Sequence, residues 1–417
     1  MPDTENALES YVRKRSEPVD YRMRSRTRYN GPFTGRHYEL SLRSQNWRGH
    51  EWLHSMDLYV PEPPREPLPI FLQVAGNQTF WTDPNWARRL ASTTGHGVVV
   101  LRNVPNQPLY EGRREDALIA YTFDQFLDTG DTTWPLLLPM TRAVVAGMDA
   151  VEALLTEKYD IQSAGYTVGG ASKRSWTSWL CAAVDDRVTG LVPMVFDNLR
   201  FRKQLQHQLD VWGSYSERLN DYIERELDQK LDSQCGEELL NLTDPYSYRH
   251  DLTQPRCIVS ATNDRYWPVT ANNLYLDDLP GTSRLLLLPN TGHNLQKNQD
   301  LLFNTLGYLL QSLRDGPELP DVSSRVTESG SMLAIHLHHE TGPVPDNVRI
   351  WSAGSDNRDF RDATWTSRKG DLENSQAETH VEPVKTGAPF VGLFAEMVYN
   401  SGHQNFSLTT RVSVIQT

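Results

Sequence analysis

Cysteine is scarce in this chain of 417 residues: Cys181, Cys235 and Cys257 are odd in number and scattered. That spacing excludes a disulfide framework and the usual zinc motifs. No run of about 20 apolar residues occurs, so no helical membrane span is expected. Basic charge is short as well. Lys and Arg total 41 against 53 Asp and Glu, a formal net charge of −12, which argues against a nucleic-acid partner. The N-terminus MPDTENALESYVRKR lacks the basic-then-apolar pattern of a signal peptide. The expectation is therefore cytoplasmic if Met1 is the native start, and periplasmic or secreted if a signal peptide has been removed. No cofactor is called for.

What the chain does have is alternation. Short apolar strands, Leu68–Ala75, Gly97–Leu101, Ile161–Val168, Gly190–Phe196, Cys257–Thr262 and Ser283–Leu288, are separated by stretches with helical spacing. This predicts an α/β fold, a doubly wound and mostly parallel sheet covered on both faces. Ahead of it, Tyr21–Tyr29 carries arginines at 22, 24, 26 and 28, one face of a solvated edge strand. Residues 198–250 are charged, aromatic and helical, and read as a cap inserted into a catalytic domain of residues 1–316. After Pro317 and Pro320 the period changes to two, in Met332–His338, Val348–Trp351, Pro389–Tyr399 and Phe406–Ile415. Residues 321–417 are expected to form an antiparallel β-sandwich. Within it Ile335 and Leu337 should face inward and His336 and His338 water, in preference to a metal site with His339 and Glu340.

The chemistry concentrates at Gly169-Gly170-Ala171-Ser172-Lys173-Arg174, between a predicted strand and a helix carrying Trp176, Trp179, Leu180, Ala183 and Val184. A serine on such a turn has its hydroxyl raised above the sheet and the next helix's amides aimed at it. Serine needs a base and an orienting acid. Both follow in the order serine, acid, histidine, each after a strand: Asp264 after Thr262, and His293 after Leu288. Asp197, also at a strand end, is the rival acid. The expected oxyanion donors are the amide of Lys173 and one from Asn77 or Gln78, in the loop after Leu68–Ala75. One of the cations Lys173 and Arg174 is expected to meet an oxyanion or substrate carboxylate, and the other to make a salt bridge. Arg174, Trp81, Trp212, Tyr266 and Trp267 are the substrate-binding candidates, the last two beside the acid, and Trp134 also falls near the carboxyl edge of the sheet.

With these residues in view, the chain resembles the PhoPQ-activated pathogenicity-related family of α/β-hydrolases. The matching blocks include HEWLHSMDLYVPE, VPNQPL, the EDALIAYTFDQFLDTGDTTWPLLLPMTRAVVAGMDAV run, GGASKRSWTSWLCAAVDDRV, LVPMVFDNL, DPYSYRHDL, ATNDRYWP and LPNTGHN, in order across roughly residues 50–315. The resemblance implies an α/β-hydrolase fold and fits a C-terminal sandwich. One departure stands out: Ser175 replaces the glycine that usually ends the family's G-A-S-K-R-G elbow. The elbow also looks like that of glucuronoyl esterases, where a basic residue follows the nucleophile.

The leading expectation is a serine hydrolase acting through an acyl-enzyme on an ester or amide, with a small ester or short peptide favoured. The alternatives are a binding or signalling protein on a hydrolase scaffold, and an acyltransferase or cyclase using the same three residues.

Overall fold

The computed structural model describes residues 7–14, 20–30, 33–77, 83–316, 318–329, 332–370, 376–381, 388–400 and 405–416. The chain divides into two compact units. Residues 1–202, 219–255 and 279–281 form the first; residues 203–218, 256–278 and 282–417 form the second. Compactness thus divides the chain elsewhere than at residues 316–321.

In the first unit the strands are β1 (Asp20–Tyr29), β2 (Gly35–Trp47), β3 (His50–Pro61), β4 (Leu68–Val74), β5 (Gly97–Leu101), β6 (Ser163–Ala171) and β7 (Val188–Met194). Their order is β1-β2-β3-β5-β4-β6-β7. The pairs from β1 to β5 are antiparallel, and β5-β4-β6-β7 run parallel. β4 and β5 are buried along their whole length, as parallel strands covered on both faces must be. β1 is the exposed edge that its alternate arginines predict: Arg22, Arg24, Arg26 and Arg28 all face solvent. Charge along such an edge discourages pairing with another chain.

The helices of this unit are α1 (Ala7–Arg13), α2 (Pro84–Thr94), α3 (Glu115–Thr129), α4 (Leu137–Tyr159) and α5 (Lys173–Val184). Asp83 caps α2 by accepting from the Asn85 amide at 2.9 Å, and Gly95 ends it at φ 71°, the left-handed turn glycine adopts without strain. The segment read as a cap is helical, with α6 (Phe201–Trp212), α7 (Asn220–Ile223), α8 (Leu227–Lys230) and α9 (Gln234–Thr243). Its later part packs on α3: Arg225 and Lys230 both pair with Asp124, and the Tyr222 hydroxyl donates to Asp116.

The second unit contains the parallel pair β8 (Arg256–Ala261) and β9 (Ser283–Leu288), followed by α10 (Gln299–Arg314). Two antiparallel sheets follow. β10 (Asp321–Ser329), β11 (Met332–Thr341) and β14 (Gln376–Val381) form one. β12 (Asn347–Ser355), β13 (Thr366–Lys369), β15 (Phe390–Asn400), β16 (Asn405–Thr409) and β17 (Ser413–Gln416) form the other. Phe406–Ile415, expected as one strand, is two. β10, β13 and β14 carry too few apolar residues to be read as strands from sequence.

Ile335 and Leu337 are buried. His336 bonds Thr327 at 2.8 Å and His339 bonds the Pro343 carbonyl at 3.1 Å. Leu287 of β9 shares a core with Ala353, Phe360, Trp365, Phe394 and Val412, so the C-terminal sheets and β9 share one apolar interior.

Candidate active site

β6 runs further than its sequence predicts, through Gly169 and Gly170 to Ala171, so that Ser172 alone separates it from α5. Two close approaches require those glycines. A Cβ on Gly170 would fall 2.6 Å from the Arg174 backbone, and one on Gly169 would fall 3.1 Å from the Phe71 ring. Strand and helix therefore meet at a corner too tight for side chains. Ser172 takes φ 58° and ψ −128°, a strained conformation for a residue with a Cβ and one that tends to occur at functional sites. Its amide is tied to the Met194 carbonyl of β7 at 2.9 Å. Lys173 opens α5, at a position whose amide has no intrahelical carbonyl to meet.

Five side chains hold the corner from behind. Arg174 forms a two-pronged pair with Glu115, Nη1 and Nη2 each 2.7 Å from a carboxylate oxygen, while its Nε donates to the Val104 carbonyl at 2.7 Å. The Lys173 ammonium, 8% exposed, lies 3.1 Å from Glu115 and 3.3 Å from Asp116. Gln107 completes the ring, donating to Glu115 at 2.6 Å and accepting the Glu115 amide at 2.8 Å. Burial raises the Glu115 carboxyl's pKa, but Arg174, Lys173 and Gln107 outweigh it and hold the group well below the usual carboxylate range.

Both Lys173 and Arg174 are engaged by the acidic start of α3, where one of the two was expected to make a salt bridge. Ser175, the family's missing glycine, is buried, and its Oγ has no hydrogen-bond partner among the described residues.

The loop after β4 comes close to this corner: a Cβ on Gly76 would lie 2.8 Å from an Arg174 guanidinium nitrogen. Asn77 follows, exposed. Gln78 and Trp81 lie outside the described residues. Trp134 belongs to an aromatic cluster with Trp47, Tyr110 and Tyr121, and the Arg48 guanidinium lies 3.6 Å from its ring centre.

In the second unit, Asp264 follows β8 and His293 follows β9, at the strand ends the sequence predicts. Asp264 is buried. Its Oδ2 lies 2.8 Å from the His293 Nδ1, and its Oδ1 accepts the Tyr266 amide at 2.7 Å. A carboxylate on Nδ1 selects the tautomer that leaves Nε2 as the proton-accepting nitrogen. The Tyr266 ring lies over the imidazole, centres 4.1 Å apart, which fixes the ring's tilt.

Trp267 is buried, and Trp212 is half-buried with the Arg361 guanidinium 4.1 Å from its ring. α6 grips the acid loop: Gln208 donates to the Tyr266 carbonyl at 2.9 Å, and His207 bonds Thr270 at 2.9 Å. A hollow of about 560 Å³ lies beside it, lined by His207, Val211, Thr270, Arg358, Phe390 and Val414 among others; none of the triad candidates lines it.

Among the described residues, His37, Glu39 and Asp57 bring ligand atoms close enough together to hold a cation. Asp57, however, is already met by His37 at 2.7 Å and by the Arg102 guanidinium, which fits a buried ion-pair network in the β2–β3 hairpin. No described helix is long and apolar enough to cross a membrane.

The family model of the PhoPQ-activated pathogenicity-related protein matches residues 8–361. The chain belongs to that family. A curated relative, autocrine proliferation repressor protein A of Dictyostelium discoideum, is 29% identical over 378 residues, covering 85% of this chain and 76% of its own length. Among solved structures, acetyl xylan esterase 1 from Thermoanaerobacterium sp. is similar with a TM-score of 0.54 at 14% identity, over 75% of this chain and 94% of the esterase. The acetyl xylan esterase of Paenibacillus sp. R4 gives 0.51 at 11% identity, over 69% and 87%. At these identities the likeness is one of fold. This member of the PhoPQ-related family has the α/β-hydrolase fold, with C-terminal antiparallel sheets added to it.

Sequence reasoning missed Glu115 and Gln107. Gln107 lies in the VPNQPL block and Glu115 opens the EDALIAY block of the family resemblance, which was the available signal. Nothing in either block marks them as partners of the elbow.

Proposed function

We propose that this chain is a serine hydrolase in which Ser172, His293 and Asp264 act as nucleophile, base and orienting acid. The observation that carries the reading is the 2.8 Å bond between Asp264 and His293. It gives a loop histidine the tautomer a general base needs, on strand ends that in this fold supply the partners of an elbow serine. Asp264 is preferred to Asp197 as the acid for the same reason.

In acylation the Ser172 Oγ attacks the substrate carbonyl carbon while His293 Nε2 takes its proton. The oxyanion is stabilised by the Lys173 amide and by an amide of the Gly76-Asn77-Gln78 loop. The imidazolium then protonates the leaving alkoxide or amine as its bond to the carbonyl carbon breaks. Water repeats the sequence on the acyl-enzyme, releasing the acid and restoring Ser172. Tyr266 and Trp212 are proposed to line the substrate side. A small ester or short peptide is the favoured substrate, and acetyl esters head the panel because the fold neighbours are named for one.

A fluorophosphonate probe tests the reading. Ser172 Oγ bonds to phosphorus as fluoride leaves, so the native chain should be labelled and Ser172→Ala should not. The name of the Dictyostelium relative favours a second reading, in which a family member acts as a signalling protein on this scaffold. A native chain that resists the probe supports that reading and defeats the first.

A further inference from the structure

We propose that Asn263 and Asn290 are positioning residues of the triad, and that the loop of residues 356–365 between β12 and β13 is the brace they grip. The inference rests on the triad reading above.

Asn263 directly precedes the acid, and Asn290 lies between β9 and the histidine. The Asn263 Nδ2 faces three carbonyls of the brace, those of Phe360 at 3.4 Å, Arg361 at 3.1 Å and Ala363 at 2.8 Å. Asn290 pairs with the backbone of Trp365 as a neighbouring strand would: its Nδ2 donates to the Trp365 carbonyl and its Oδ1 accepts the Trp365 amide, each at 2.8 Å. Thr262 joins the two, its hydroxyl donating to the Asn263 Oδ1 at 2.7 Å and accepting the Asn290 amide at 2.8 Å. A further backbone bond runs from the Asn263 amide to the Thr291 carbonyl at 3.0 Å. The result is a closed ring of hydrogen bonds from brace to acid loop to base loop and back.

The brace itself is rigid. Phe360 and Trp365, each 2% exposed, are anchored in the core with Leu287 and Phe394. Arg361 clamps Asp359 with three bonds of 2.6 to 3.0 Å, and the Ser355 hydroxyl donates to the Asp359 carbonyl at 2.7 Å. Arg265, one residue after the acid, also pairs with Asp362. The family match ends at residue 361, inside this loop. Asparagine suits both positions because its amide donates and accepts in one plane without charge. Aspartate would turn an acceptor toward carbonyls, and alanine would leave those carbonyls unmet.

The test uses the full chain with Asn263→Ala, Asn290→Ala and the isosteric Asn290→Asp. The control is Asn304→Ala, whose Nδ2 donates to the Asn405 carbonyl of the C-terminal sheets at 3.1 Å, away from both loops. Two readouts are taken: the fluorophosphonate labelling rate, and kcat against KM on an acyl ester. Small misplacements of catalytic groups cost up to about 100-fold. The alanine variants should therefore lose roughly 10- to 100-fold in kcat and labelling, with KM within about twofold.

Asn290→Asp keeps the acceptor for the Trp365 amide but sets a carboxylate oxygen against the Trp365 carbonyl. It should therefore lose at least as much as Asn290→Ala, and Asn263→Ala carries the test if an Asn290 variant does not fold. Native-like labelling and kcat in the variants would overturn the brace and leave the triad standing. An equal loss in Asn304→Ala would overturn it too, since general loosening would then explain the effect. A native chain that resists the probe removes the triad reading, and the brace with it.

Discussion

The elbow and the acid–base loops are secured by different physics. Behind Ser172 the fixing groups are ionic: two nearly buried cations, Lys173 and Arg174, share the carboxylates of Glu115 and Asp116. Around Asp264 and His293 the fixing groups are mostly neutral, two asparagines and a threonine bonded to one another and to the backbone of the brace, with one ion pair, Arg265 to Asp362, beside them. An ionic anchor gains from low dielectric but depends on pH and, where exposed, on salt. Neutral hydrogen bonds, at about 1 kcal/mol each, respond to neither. The difference fits what each end is asked to do. The elbow holds a strained backbone in one geometry, whereas the acid–base loops hold a carboxylate against an imidazole.

The largest effects should come from the reacting groups. Removing the nucleophile or base of a triad costs roughly 10⁶-fold in kcat, and disabling the acid about 10⁴-fold. Ser172→Ala and His293→Ala should therefore abolish ester turnover to near background. Asp264→Asn should retain a small residue of activity, measured by initial rates on an activated acyl ester. Asp197→Asn is the sharpening control. If it proves more damaging than Asp264→Asn, the acid has been misassigned despite its bond to His293.

How much of this was legible in the sequence follows the same division. The strand–turn–helix around Ser172 was legible because Gly169-Gly170 and the apolar helix face are local signals. Asp264 and His293 were legible because their positions after strands follow from chain order. The partners of Lys173 and Arg174 were not, since Glu115 lies some 59 positions away from Arg174 and the sequence treats it as an ordinary acid in a helix's first turn. Asn263 and Asn290 were hidden for a related reason. Their meaning depends on residues 360–365, about one hundred positions later for Asn263, in a loop with no periodicity of its own. The sandwich strands carried a period-two signal, but β9's place in their core could not be read from any pattern within either segment.

Glu115→Gln breaks the ionic end without touching a reacting group. It leaves Lys173 and Arg174 nearly buried with only Asp116 as counter-charge. Breaking a fully buried pair costs about 3–5 kcal/mol, but the Glu115 side chain is 41% exposed, so screening lowers the expectation to about 2 kcal/mol. The pH dependence has a definite sign. The folded-state pKa of Glu115 is depressed, so its contribution is complete above the ordinary glutamate value of about 4.3. It is lost as the pH falls from there through the folded value. Urea melts should show the native chain's advantage over Glu115→Gln intact at pH 7 and shrinking below about pH 4. Added salt should narrow the gap as well. An advantage unchanged by both acid and salt would mean that the ring of Arg174, Lys173 and Gln107 is held by packing instead.

The smallest effect isolates the backbone. Ser172 at φ 58° and ψ −128° sits in the mirror image of the polyproline region, which glycine occupies freely and other residues do not. Relieving such strain is worth about 1–3 kcal/mol, against about 0.5–1 kcal/mol for the greater freedom of glycine in the unfolded chain. Ser172→Gly should thus be more stable than the native protein by about 1 kcal/mol, and equally inactive. Ser172→Ala retains the Cβ and with it the strain, so its melting temperature should stay near native while its activity is lost. The two variants lack the same hydroxyl, and the difference between them in a thermal melt is the energy stored in the turn less about 0.5–1 kcal/mol for glycine's extra freedom in the unfolded chain. A Ser172→Gly chain that melts below Ser172→Ala by that full amount would show that the elbow's geometry is held without strain, and the ionic ring behind it would then have no strained conformation to oppose.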